Sequence, residues 1–334
     1  MRTAKVPRVA PFAVAVTDAL APQQARDVRA AVTLTADGDG VAPLSEDAEL
    51  RVRPEAEDVV HLLVSEAGDV VGYGQLDLGS DAGNGEVGAE LFVAPPARRR
   101  GVGTSLLRAT LETAGQRQRS PVGVWAHGDL PGSAELAAAF GLTRVRDLWQ
   151  MRASLAEPIA EPAVPDGVRI RPFVPGVDEA AWLALNSAAF AHHPEQGSWT
   201  ADDLALREQE DWFDPAGLFL AEAEAGAGAG AGGQLVGFHW TKVHPATATD
   251  PALGEIYVLG VAPAAAGRGL GKFLTAVGLR HLQQQGLTAA LLYVEADNAA
   301  AISVYERAGF SRHAVDVRYL AAGTSQASGS ATIS

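Results

Sequence analysis

Residues 254–272 read Gly-Glu-Ile-Tyr-Val-Leu-Gly-Val-Ala-Pro-Ala-Ala-Ala-Gly-Arg-Gly-Leu-Gly-Lys. The apolar and β-branched run from Ile256 to Val261 predicts a buried strand, Pro263 ends it, and Gly271 opens a long amphipathic segment. The predicted order is therefore strand, glycine-rich turn and helix. Such a turn presents unpaired backbone N–H groups at a helix N-terminus, where the helix dipole favours an anion. We expect a phosphate group to bind there.

The spacing of the glycines narrows the kind of phosphate that this turn would hold. It matches neither the G-x-G-x-x-G of dinucleotide sites nor the G-x-x-x-x-G-K-[ST] of nucleoside triphosphatases, and a bare glycine-rich turn often only changes chain direction. Instead, Gly-Arg-Gly-Leu-Gly at 267–271 resembles the pyrophosphate loop of the GNAT superfamily of N-acetyltransferases. These enzymes hold acetyl-CoA, and their usual pattern is [Gln/Arg]-x-x-Gly-x-[Gly/Ala].

Length and charge limit the number of domains and the classes of partner that the chain can have. A chain of 334 residues with 47% apolar residues is expected to build two ordinary domains. Its net charge of −14 argues against nucleic acid or an anionic membrane as a partner, because either would repel most of the surface. No stretch reaches the roughly 18 apolar residues of a membrane span, so we expect a cytoplasmic protein.

The chain contains no cysteine. This excludes disulfides, thiolate metal sites and acyl transfer through a cysteine thioester. His192 and His193 have no partner at metal-ligand spacing, so no metal is expected.

The chain also contains an internal repeat with an offset of 168 residues, since Gly101 aligns with Gly269 (269 − 101 = 168). The same offset carries Ala-Pro at 94–95 onto Ala-Pro at 262–263, and no gap is needed between residues 93 and 144. Two copies of one fold are therefore expected. The predicted elements are strands at 61–65, 70–75, 90–93, 122–126, 168–171, 218–222 and 235–243 and helices at 104–114, 134–139, 178–190 and 202–210.

The resemblance implies a fold class and domain limits. It implies a mixed α/β (α+β) protein of two tandem GNAT acetyltransferase domains, each with a mixed, mostly antiparallel central sheet flanked by helices. We place the N-terminal, non-catalytic acetyl-CoA domain at 1–155 and the C-terminal catalytic domain at 167–322. The proline-rich segment at 156–166 is expected to be a stiff linker, and the tail at 323–334 is expected to be disordered.

The two copies differ in the side chains that could handle protons. Under the 168-residue offset, Glu255 aligns with Val87 and Tyr305 aligns with Ala137. Only the second copy has an acid and a phenol at these positions, so we expect it to be the catalytic one.

The loops differ in the opposite sense. Arg98 of the first copy matches the family pattern, whereas Ala266 of the second copy departs from it. If backbone N–H groups do most of the holding, the missing side chain is expected to matter little.

Longer strings resemble one branch of the superfamily, the mycothiol synthases, which are the tandem acetyltransferases of actinobacteria. They are Gly-Phe-His-Trp-Thr-Lys-Val-His-Pro at 237–245, Gly-Glu-Ile-Tyr-Val-Leu-Gly-Val at 254–261 and Leu-Leu-Tyr-Val-Glu-Ala-Asp-Asn at 291–298. Segments 191–197 and 39–43 match as well, and the similarity extends from about residue 15 to about residue 323. The resemblance implies acetyl transfer from acetyl-CoA to the cysteine amine of cysteinyl-glucosaminyl-inositol, the last step of mycothiol biosynthesis.

The chemistry needs a modest base, because an attacking α-amine has a pKa of about 7.7 to 8.0. Glu255 begins a buried strand beside the loop, which suits that role. The alternative is a strand-edge glutamate that faces solvent or pairs with an arginine. Tyr305, on a predicted short helix, is the candidate acid for the CoA thiolate, and the alternative is a tyrosine that covers the seam between helix and sheet.

The resemblance also implies which residues bind acetyl-CoA, the expected co-substrate. In the second copy they are Leu259, Gly260, Val261, Ala266, Gly267, Arg268, Gly269, Leu270, Gly271, Lys272, Asn298, Ala299, Ala300, Ala301, Ile302 and Ser303. In the first copy they are Leu91, Phe92, Val93, Arg98, Arg99, Arg100, Gly101, Val102 and Gly103.

By the same resemblance, five residues bind the substrate, namely Glu46, Glu195, Lys242, Glu255 and Tyr293. All of them except Glu255 are expected to contact the sugar and inositol, whose hydroxyls require charged and amide partners. Plainer alternatives exist, with Glu46 and Glu195 as solvated loop acids, Lys242 as a surface charge and Tyr293 as a core residue. We expect a monomer that acts on this small molecule.

Two other functions stay open. One is acetyl transfer to a different amine, such as an aminoglycoside or a peptide N-terminus. The other is a non-catalytic acetyl-CoA sensor, against which the presence of Glu255 and Tyr305 in one copy argues. For the enzyme, we expect direct attack within a ternary complex, because the chain has no cysteine to carry the acetyl group.

Overall fold

The computed structural model of the chain describes residues 12–79, 86–191, 194–224, 233–247 and 250–321. The chain divides into two compact units. Unit 1 contains Met1–Asp147 and Val315–Ser334, and unit 2 contains Leu148–Ala314. The domain limits expected at 155 and 167 stay a prediction. The expected disordered tail lies outside the described residues, as do His192 and His193.

The chain forms twelve strands and nine α-helices in its described parts. The strands are β1 (Ala15–Thr17), β2 (Val59–Glu66), β3 (Asp69–Asp77), β4 (Val87–Val93), β5 (Val122–Ala126), β6 (Thr143–Ser154), β7 (Val168–Pro172), β8 (Leu218–Ala223), β9 (Leu235–His244), β10 (Leu253–Val261), β11 (Ala289–Glu295) and β12 (Ser311–Ala321). The helices are α1 (Pro22–Asp39), α2 (Glu46–Leu50), α3 (Val102–Gln116), α4 (Ser133–Ala139), α5 (Glu179–Ala189), α6 (Pro194–Gly197), α7 (Ala201–Glu208), α8 (Leu270–Gln284) and α9 (Ala299–Arg307).

The sheet of unit 1 has the order β1-β2-β3-β4-β5-β12, and β12 contributes its residues from Val315 onward. Neighbouring strands are antiparallel except β4 and β5, which are parallel. Helices α1 and α2 pack with Tyr73 and Phe92, while α3 and α4 pack with Leu76 and Val87. Because Tyr73 and Leu76 point to opposite sides of β3, both faces of the sheet are covered.

The sheet of unit 2 has the order β6-β11-β10-β9-β8-β7, and β6 contributes its residues from Leu148 onward. Among the described strands of this unit, β10 and β11 pair in parallel and the other neighbours are antiparallel. Helices α8 and α9 pack on one side with Ile256 and Leu292, and α5 and α7 pack on the other side with Trp240 and Val258. The predicted fold class, a mixed and mostly antiparallel sheet with flanking helices in two copies, is confirmed.

Local sequence explains where helices begin and end. Helix α1 has Pro22 at its first position, and Gly40, with a φ of 68°, ends it in the left-handed conformation that glycine adopts without strain. Helix α7 starts at a capping box, in which Thr200 accepts from the Asp203 amide and Asp203 accepts from the Thr200 amide. In the described parts of the chain, no helix is both long and apolar enough to span a bilayer.

A buried ionic cluster fastens β12 within unit 1. His127 lies between two carboxylates, with Nε2 at 3.0 Å from Glu90 and Nδ1 at 3.1 Å from Asp316. Ser45 donates to Glu90 from both its amide and its hydroxyl, at 2.7 and 2.6 Å. Burial alone would lower the pKa of His127, but the hydrogen bonds to Asp316 and Glu90 outweigh it and raise this pKa to about 10. His127 is therefore a cation at neutral pH.

We predict that His127→Gln lowers the free energy of unfolding by about 3–5 kcal/mol at pH 7, because it leaves two buried carboxylates without their cation. The pKa of His127 is raised in the folded state, from 6.5 to about 10. Its stabilising contribution is therefore complete below pH 6.5 and disappears as the pH rises toward 10. Denaturant unfolding of wild type and variant should show a gap that narrows over this interval. The exposed His313→Gln serves as control, and a gap that stays constant with pH would contradict the prediction.

Candidate active site

Strand β10 carries Glu255, the predicted base, in a buried position. Glu255 is 6% exposed, and its Oε2 lies 2.6 Å from Nε2 of His244 at the end of β9. Its ladder partners are Lys242 on β9 and Leu291 on β11. A buried carboxylate is costly without a partner. Glu255 is thus a buried acid with a histidine partner, and not the solvent-facing or arginine-paired glutamate of the alternative interpretation.

Glu255 belongs to a polar face that crosses four strands of unit 2. Paired residues of neighbouring strands project to the same side of a sheet, and the ladder pairs Glu255 with Lys242, Leu291 with Arg152 and Tyr293 with Gln150. The polar face consists of the side chains of Gln150, Arg152, Lys242, His244, Glu255 and Tyr293.

Hydrogen bonds order the β6 end of the polar face. Gln150 donates from Nε2 to the Tyr293 hydroxyl at 2.8 Å, and Arg152 donates from Nε to the side-chain oxygen Oε1 of Gln150 at 3.0 Å. Arg152 also makes two bonds to Asp250, at 2.7 and 2.9 Å. Tyr293 is 41% exposed. It is therefore available at the surface of unit 2 and is not the core residue of the alternative interpretation.

Lys242 is held against an aromatic cluster. It is 9% exposed, and its Nζ lies 4.3 Å from the ring centre of Trp212 and 5.3 Å from that of Tyr257. Both rings present their negative faces to the ammonium, which stabilises the charge away from bulk water. The Tyr257 hydroxyl accepts from Arg207 at 2.7 Å. Lys242 is a positioned, buried cation and not a surface charge.

A β-bulge determines which way Glu255 points. Ile256 pairs with Thr241, and Val258 pairs with Trp240, so Tyr257 is an extra residue in β10. The corresponding pairing of β4 with β3 in unit 1 has no such shift.

Counted along the ladders, Glu255 therefore occupies the position of Gly88 in unit 1. The 168-residue offset assigns it to Val87, which is one residue away and fully buried in the apolar core. A one-residue shift moves a side chain to the other face of a sheet. Unit 1 still has no carboxylate at this place, because Gly88 has no side chain.

Strands β10 and β11 diverge beside Glu255. Their ladder covers Gly254 to Ile256, and no further pair joins them in the described residues although both strands continue. In unit 1 the β4–β5 ladder likewise ends at Glu90, before Leu91, Phe92 and Val93. The predicted cofactor residues Leu259, Gly260 and Val261 lie past this point. Backbone groups on the open side can pair with a bound chain in place of a strand.

The turn between β10 and α8 has the geometry of an anion site. Gly267 and Gly269 have φ values of 76° and 83°, which L side chains rarely adopt. Gly269 is the N-cap of α8 and makes no side-chain cap. The N–H groups of Leu270, Gly271 and Lys272 in the first turn have no intrahelical partner. This arrangement fits the pyrophosphate of acetyl-CoA.

The loop of unit 1 has the same backbone course with different side chains. Arg98 pairs with Asp39 at 2.7 Å, whereas Ala266 has no side chain that could do so. Even so, the amide of Arg98 donates to Pro95 and the amide of Ala266 donates to Pro263, both at 3.3 Å. The shape of the loop does not depend on the arginine.

The other arginines of the unit 1 loop also pair with carboxylates. Arg99 lies 2.8 Å from Glu135, and Arg100 lies 2.7 Å from Glu66. Arg99 has a φ of 59°, the left-handed conformation that Gly267 has in unit 2, and Gly101 is the N-cap of α3.

Tyr305 lies on α9 and packs in the apolar cluster beneath the sheet of unit 2. Its ring centre is 6.0 Å from that of Phe310, and the cluster includes Ile256 and Leu292. Burial raises the pKa of Tyr305 to about 12. Because Ile256 and Glu255 point to opposite sides of β10, the Tyr305 ring packs on the apolar side and Glu255 lies on the polar side.

The start of α9 is fixed by its own side chains. Asn298 is the N-cap and accepts from the Ala301 amide at 3.1 Å, and Ser303 accepts from Arg307 at 2.6 Å. The predicted contact of residues 298–303 with the CoA arm stays a prediction.

The structure brings three of the five predicted substrate residues onto the polar face, namely Lys242, Glu255 and Tyr293. Glu46 is the half-buried first residue of α2 in unit 1, following the N-cap Ser45. Glu195 lies in α6, and its side chain is outside the described parts.

The sequence did not single out His244, Gln150 or Arg152. His244 stands before Pro245 at a strand end, which is a weak signal by itself. The two β6 residues give no signal, because their position depends on pairing with β11, more than a hundred residues away in sequence. Among the described residues, no group of three or more His, Asp or Glu side chains is arranged to hold a metal ion.

The sequence profile of the acetyltransferase (GNAT) family matches residues 33–141 and 182–310. A protein of Geodermatophilus obscurus named mycothiol acetyltransferase is 52% identical over 309 residues, covering 90% of this chain and 96% of its own. Proteins with that name from Thermomonospora curvata and Streptomyces avermitilis are each 52% identical over 304 residues, covering 91% and 90% of this chain and 95% and 92% of their own.

Solved structures show the same fold at lower identity. A tandem GNAT protein from the clavulanic acid biosynthesis pathway has a TM-score of 0.68 at 22% identity, covering 92% of this chain and 98% of its own. An N-acetyltransferase from Sphaerobacter thermophilus has a TM-score of 0.65 at 22% identity, covering 92% of this chain and 95% of its own. Two family matches, one in each half of the sequence, agree with the two similar sheets and loops. The chain belongs to the GNAT acetyltransferase family, as a tandem member grouped with the proteins named mycothiol acetyltransferase.

Proposed function

We propose that unit 2 transfers the acetyl group of acetyl-CoA to the cysteine amine of cysteinyl-glucosaminyl-inositol by direct attack in a ternary complex. The observation that carries this proposal is the buried Glu255 carboxylate at the point where β10 and β11 diverge. The corresponding place in unit 1 is Gly88, and the place of Tyr305 is taken by the buried Ala137. The names of the relatives supply the class of acceptor.

In this proposal Glu255 takes a proton from the ammonium form of the acceptor, which leaves the neutral amine that attacks the thioester. The thioester of acetyl-CoA supplies an activated acyl group, so the chain must mainly orient the amine and accept its proton. Glu255 is positioned for this by the ladder pair with Lys242 and by the bond to His244. The backbone of Leu259 to Val261, on the open edge, would hold the thioester carbonyl and stabilise its developing charge.

Tyr305 serves the leaving thiolate. Its pKa of about 12 keeps the phenol protonated until the thiolate forms. A thiol has a pKa of about 8.5, and each pKa unit corresponds to 1.36 kcal/mol, so full transfer to a solvated thiolate would cost about 5 kcal/mol. We therefore assign Tyr305 hydrogen-bond donation to the thiolate as charge develops. Full proton transfer from the phenol to the thiolate becomes easier if the thiolate is also buried, because burial raises the pKa of a thiol.

The divergence of β10 and β11 explains how Glu255 and Tyr305 can serve one reaction although they lie on opposite sides of the sheet. An acetyl-CoA arm in this opening would be accessible from the polar side, where Glu255 lies, and from the apolar side, where the Tyr305 ring packs. The positive-φ glycines of the loop and the first turn of α8 would hold its pyrophosphate.

The acceptor side of the proposal uses the polar face. Lys242 and Tyr293 offer a cation and a hydroxyl to the sugar and inositol hydroxyls, and Gln150 orients the Tyr293 hydroxyl. Contacts of Glu46 and Glu195 with the acceptor are part of the proposal and rest on resemblance. The proline-rich linker, the catalytic domain at 167–322 and a monomeric state are likewise proposed.

Two alternatives give different results in one assay. A GNAT enzyme for another amine would acetylate an aminoglycoside or a peptide N-terminus and ignore the thiol sugar. A sensor would bind acetyl-CoA and release no product with any amine.

We predict that Glu255→Gln lowers kcat for cysteinyl-glucosaminyl-inositol by about 10²- to 10⁴-fold, because the amide cannot accept the proton. Acetyl-CoA affinity should stay within a factor of about two, since the loop and α8 are untouched. Product is measured by mass spectrometry beside aminoglycoside and peptide acceptors, with the exposed Glu224→Gln as control. If Glu255→Gln turns over as fast as wild type, Glu255 is not the base.

We predict that Tyr305→Phe lowers kcat about tenfold or more while both KM values stay close to wild type, because the phenol acts only as the thiolate forms. With a pKa of about 12, Tyr305 should add no alkaline limb to the kcat profile of wild type below pH 10. The matched control is Tyr319→Phe in unit 1. A Tyr305→Phe variant with raised KM and unchanged kcat would assign the phenol to binding instead.

We predict that incubation with acetyl-CoA alone leaves the intact mass of the protein unchanged, because the amine attacks the thioester directly and the chain has no cysteine. Mass spectrometry after rapid acid quench provides the test. A stoichiometric gain of one acetyl group that the thiol sugar then removes would establish an acyl-enzyme route and exclude direct attack.

A further inference from the structure

The buried base has a connection to solvent through one neighbour. Oε2 of Glu255 is 2.6 Å from Nε2 of His244. The Glu255 side chain is 8% exposed, whereas that of His244 is 35% exposed. His244 is the last residue of β9, and Pro245 follows it outside the strand. The imidazole therefore bridges a buried carboxylate and the surface of unit 2.

A base that receives a proton in every turnover must lose it before the next one. Water has little access to Glu255, so the proton needs a carrier within hydrogen-bond distance. An imidazole suits this task because it accepts a proton on one ring nitrogen and releases one from the other, and its charge changes near neutral pH.

We propose that His244 carries the proton of each turnover from Glu255 to solvent. The proposal rests on the function proposed for Glu255. The ammonium of the acceptor loses one proton to the Glu255 carboxylate and becomes the attacking amine. As the new N–C bond forms and the C–S bond of the thioester breaks, the amine gives up a second proton, and the CoA thiolate takes up one proton and leaves as the thiol. Nε2 of His244 takes the first proton from Oε2 of Glu255, and Nδ1 releases a proton to water or buffer. The imidazole ends neutral, with the other nitrogen protonated, and a ring flip or the reverse exchange through water restores the first tautomer. His244 acts through Glu255 and is a positioning and proton-transfer residue.

The charged groups around His244 are compatible with this role. Lys242 lies two residues earlier on the same strand, and its ammonium rests over Trp212 and Tyr257. Asp250, in the connection from β9 to β10, is bound twice by Arg152, which keeps its pKa below the usual range. His313 interacts electrostatically with that pair. Asp250 therefore stays ionised and is already satisfied, while Glu255 is the carboxylate in direct contact with the imidazole.

The test compares His244→Gln, which keeps a hydrogen-bond donor toward Glu255 but cannot carry a proton, with His244→Ala. Steady-state kcat is measured at saturating substrates and constant pH over a series of imidazole and other small buffer concentrations. Wild type and the control His281→Gln should show no buffer dependence. Both His244 variants should turn over about tenfold or more slowly, and small buffers should restore kcat in proportion to their concentration.

A second measurement separates proton transfer from positioning. In rapid-quench experiments, His244→Gln should form the first equivalent of product at close to the wild-type rate and later equivalents slowly, because only the reset of Glu255 is impaired. Thermal unfolding of the variants confirms that they are folded. Unchanged kcat in His244→Gln, or a loss that no buffer restores, overturns the relay.

The failure of this inference is distinct from the failure of the proposed function. If Glu255→Gln is inactive and His244→Gln is unaffected, only the relay is wrong. If Glu255→Gln keeps its activity, the base itself is wrongly assigned. The double variant Glu255→Gln with His244→Gln should show no restoration by buffer, because no carboxylate is left to reset.

Discussion

The pleat of β10 is the constraint on which the proposed chemistry depends. Successive side chains of a strand alternate between faces, so a carboxylate can reach the polar face only from every second position. The extra residue at Tyr257 changes that phase once, between Ile256 and Val258. Before the bulge, Ile256 points into the core formed with α8 and α9. After the bulge, Val258 points to the opposite face and packs with Trp240. Glu255 consequently projects away from the core at the place where β11 separates.

The two units have similar backbones but different side chains in the interior. At equivalent positions of the two sheets, three side chains on neighbouring strands form a row. In unit 2 the row is Leu218, Trp240 and Val258, and in unit 1 it is His61, Gln75 and Glu90. The row of unit 2 is packed by aromatic rings, which gives Lys242 its cation–π contacts at the edge. The row of unit 1 ends in a carboxylate that is neutralised by His127.

The sequence predicted the ends of most helices and strands within two residues, because the signals for these ends are local in sequence. The strand at 122–126 and the helix at 134–139 are bounded by Gly and Pro and have clear periodicity, and the structure places them at Val122–Ala126 and Ser133–Ala139. Of the candidate site, the sequence brought forward Glu255 and Lys242, which lie side by side. It missed the bulge, because Tyr257 looks like any other residue of an apolar strand. It also missed His244, Gln150 and Arg152, since their roles depend on pairing between distant strands.

Partner identity decides what a buried carboxylate can do, and unit 2 offers a comparison. Glu222 is as buried as Glu255, at 5% against 6% exposed. Burial favours its neutral form, but the hydrogen bonds from Arg171 and Arg169 outweigh this and lower its pKa. An arginine keeps its charge at any physiological pH, so Glu222 is fixed as an anion and cannot take up a proton.

Glu90 of unit 1 is fixed in a different way. Its histidine partner sits between two carboxylates, and the resulting pKa of about 10 makes His127 a permanent cation at neutral pH. Glu255 is bonded to a histidine that is itself partly open to solvent. Of these three carboxylates, Glu255 is the one whose partner is a histidine in contact with a single carboxylate and with solvent, and a connection to solvent is what a recyclable base requires.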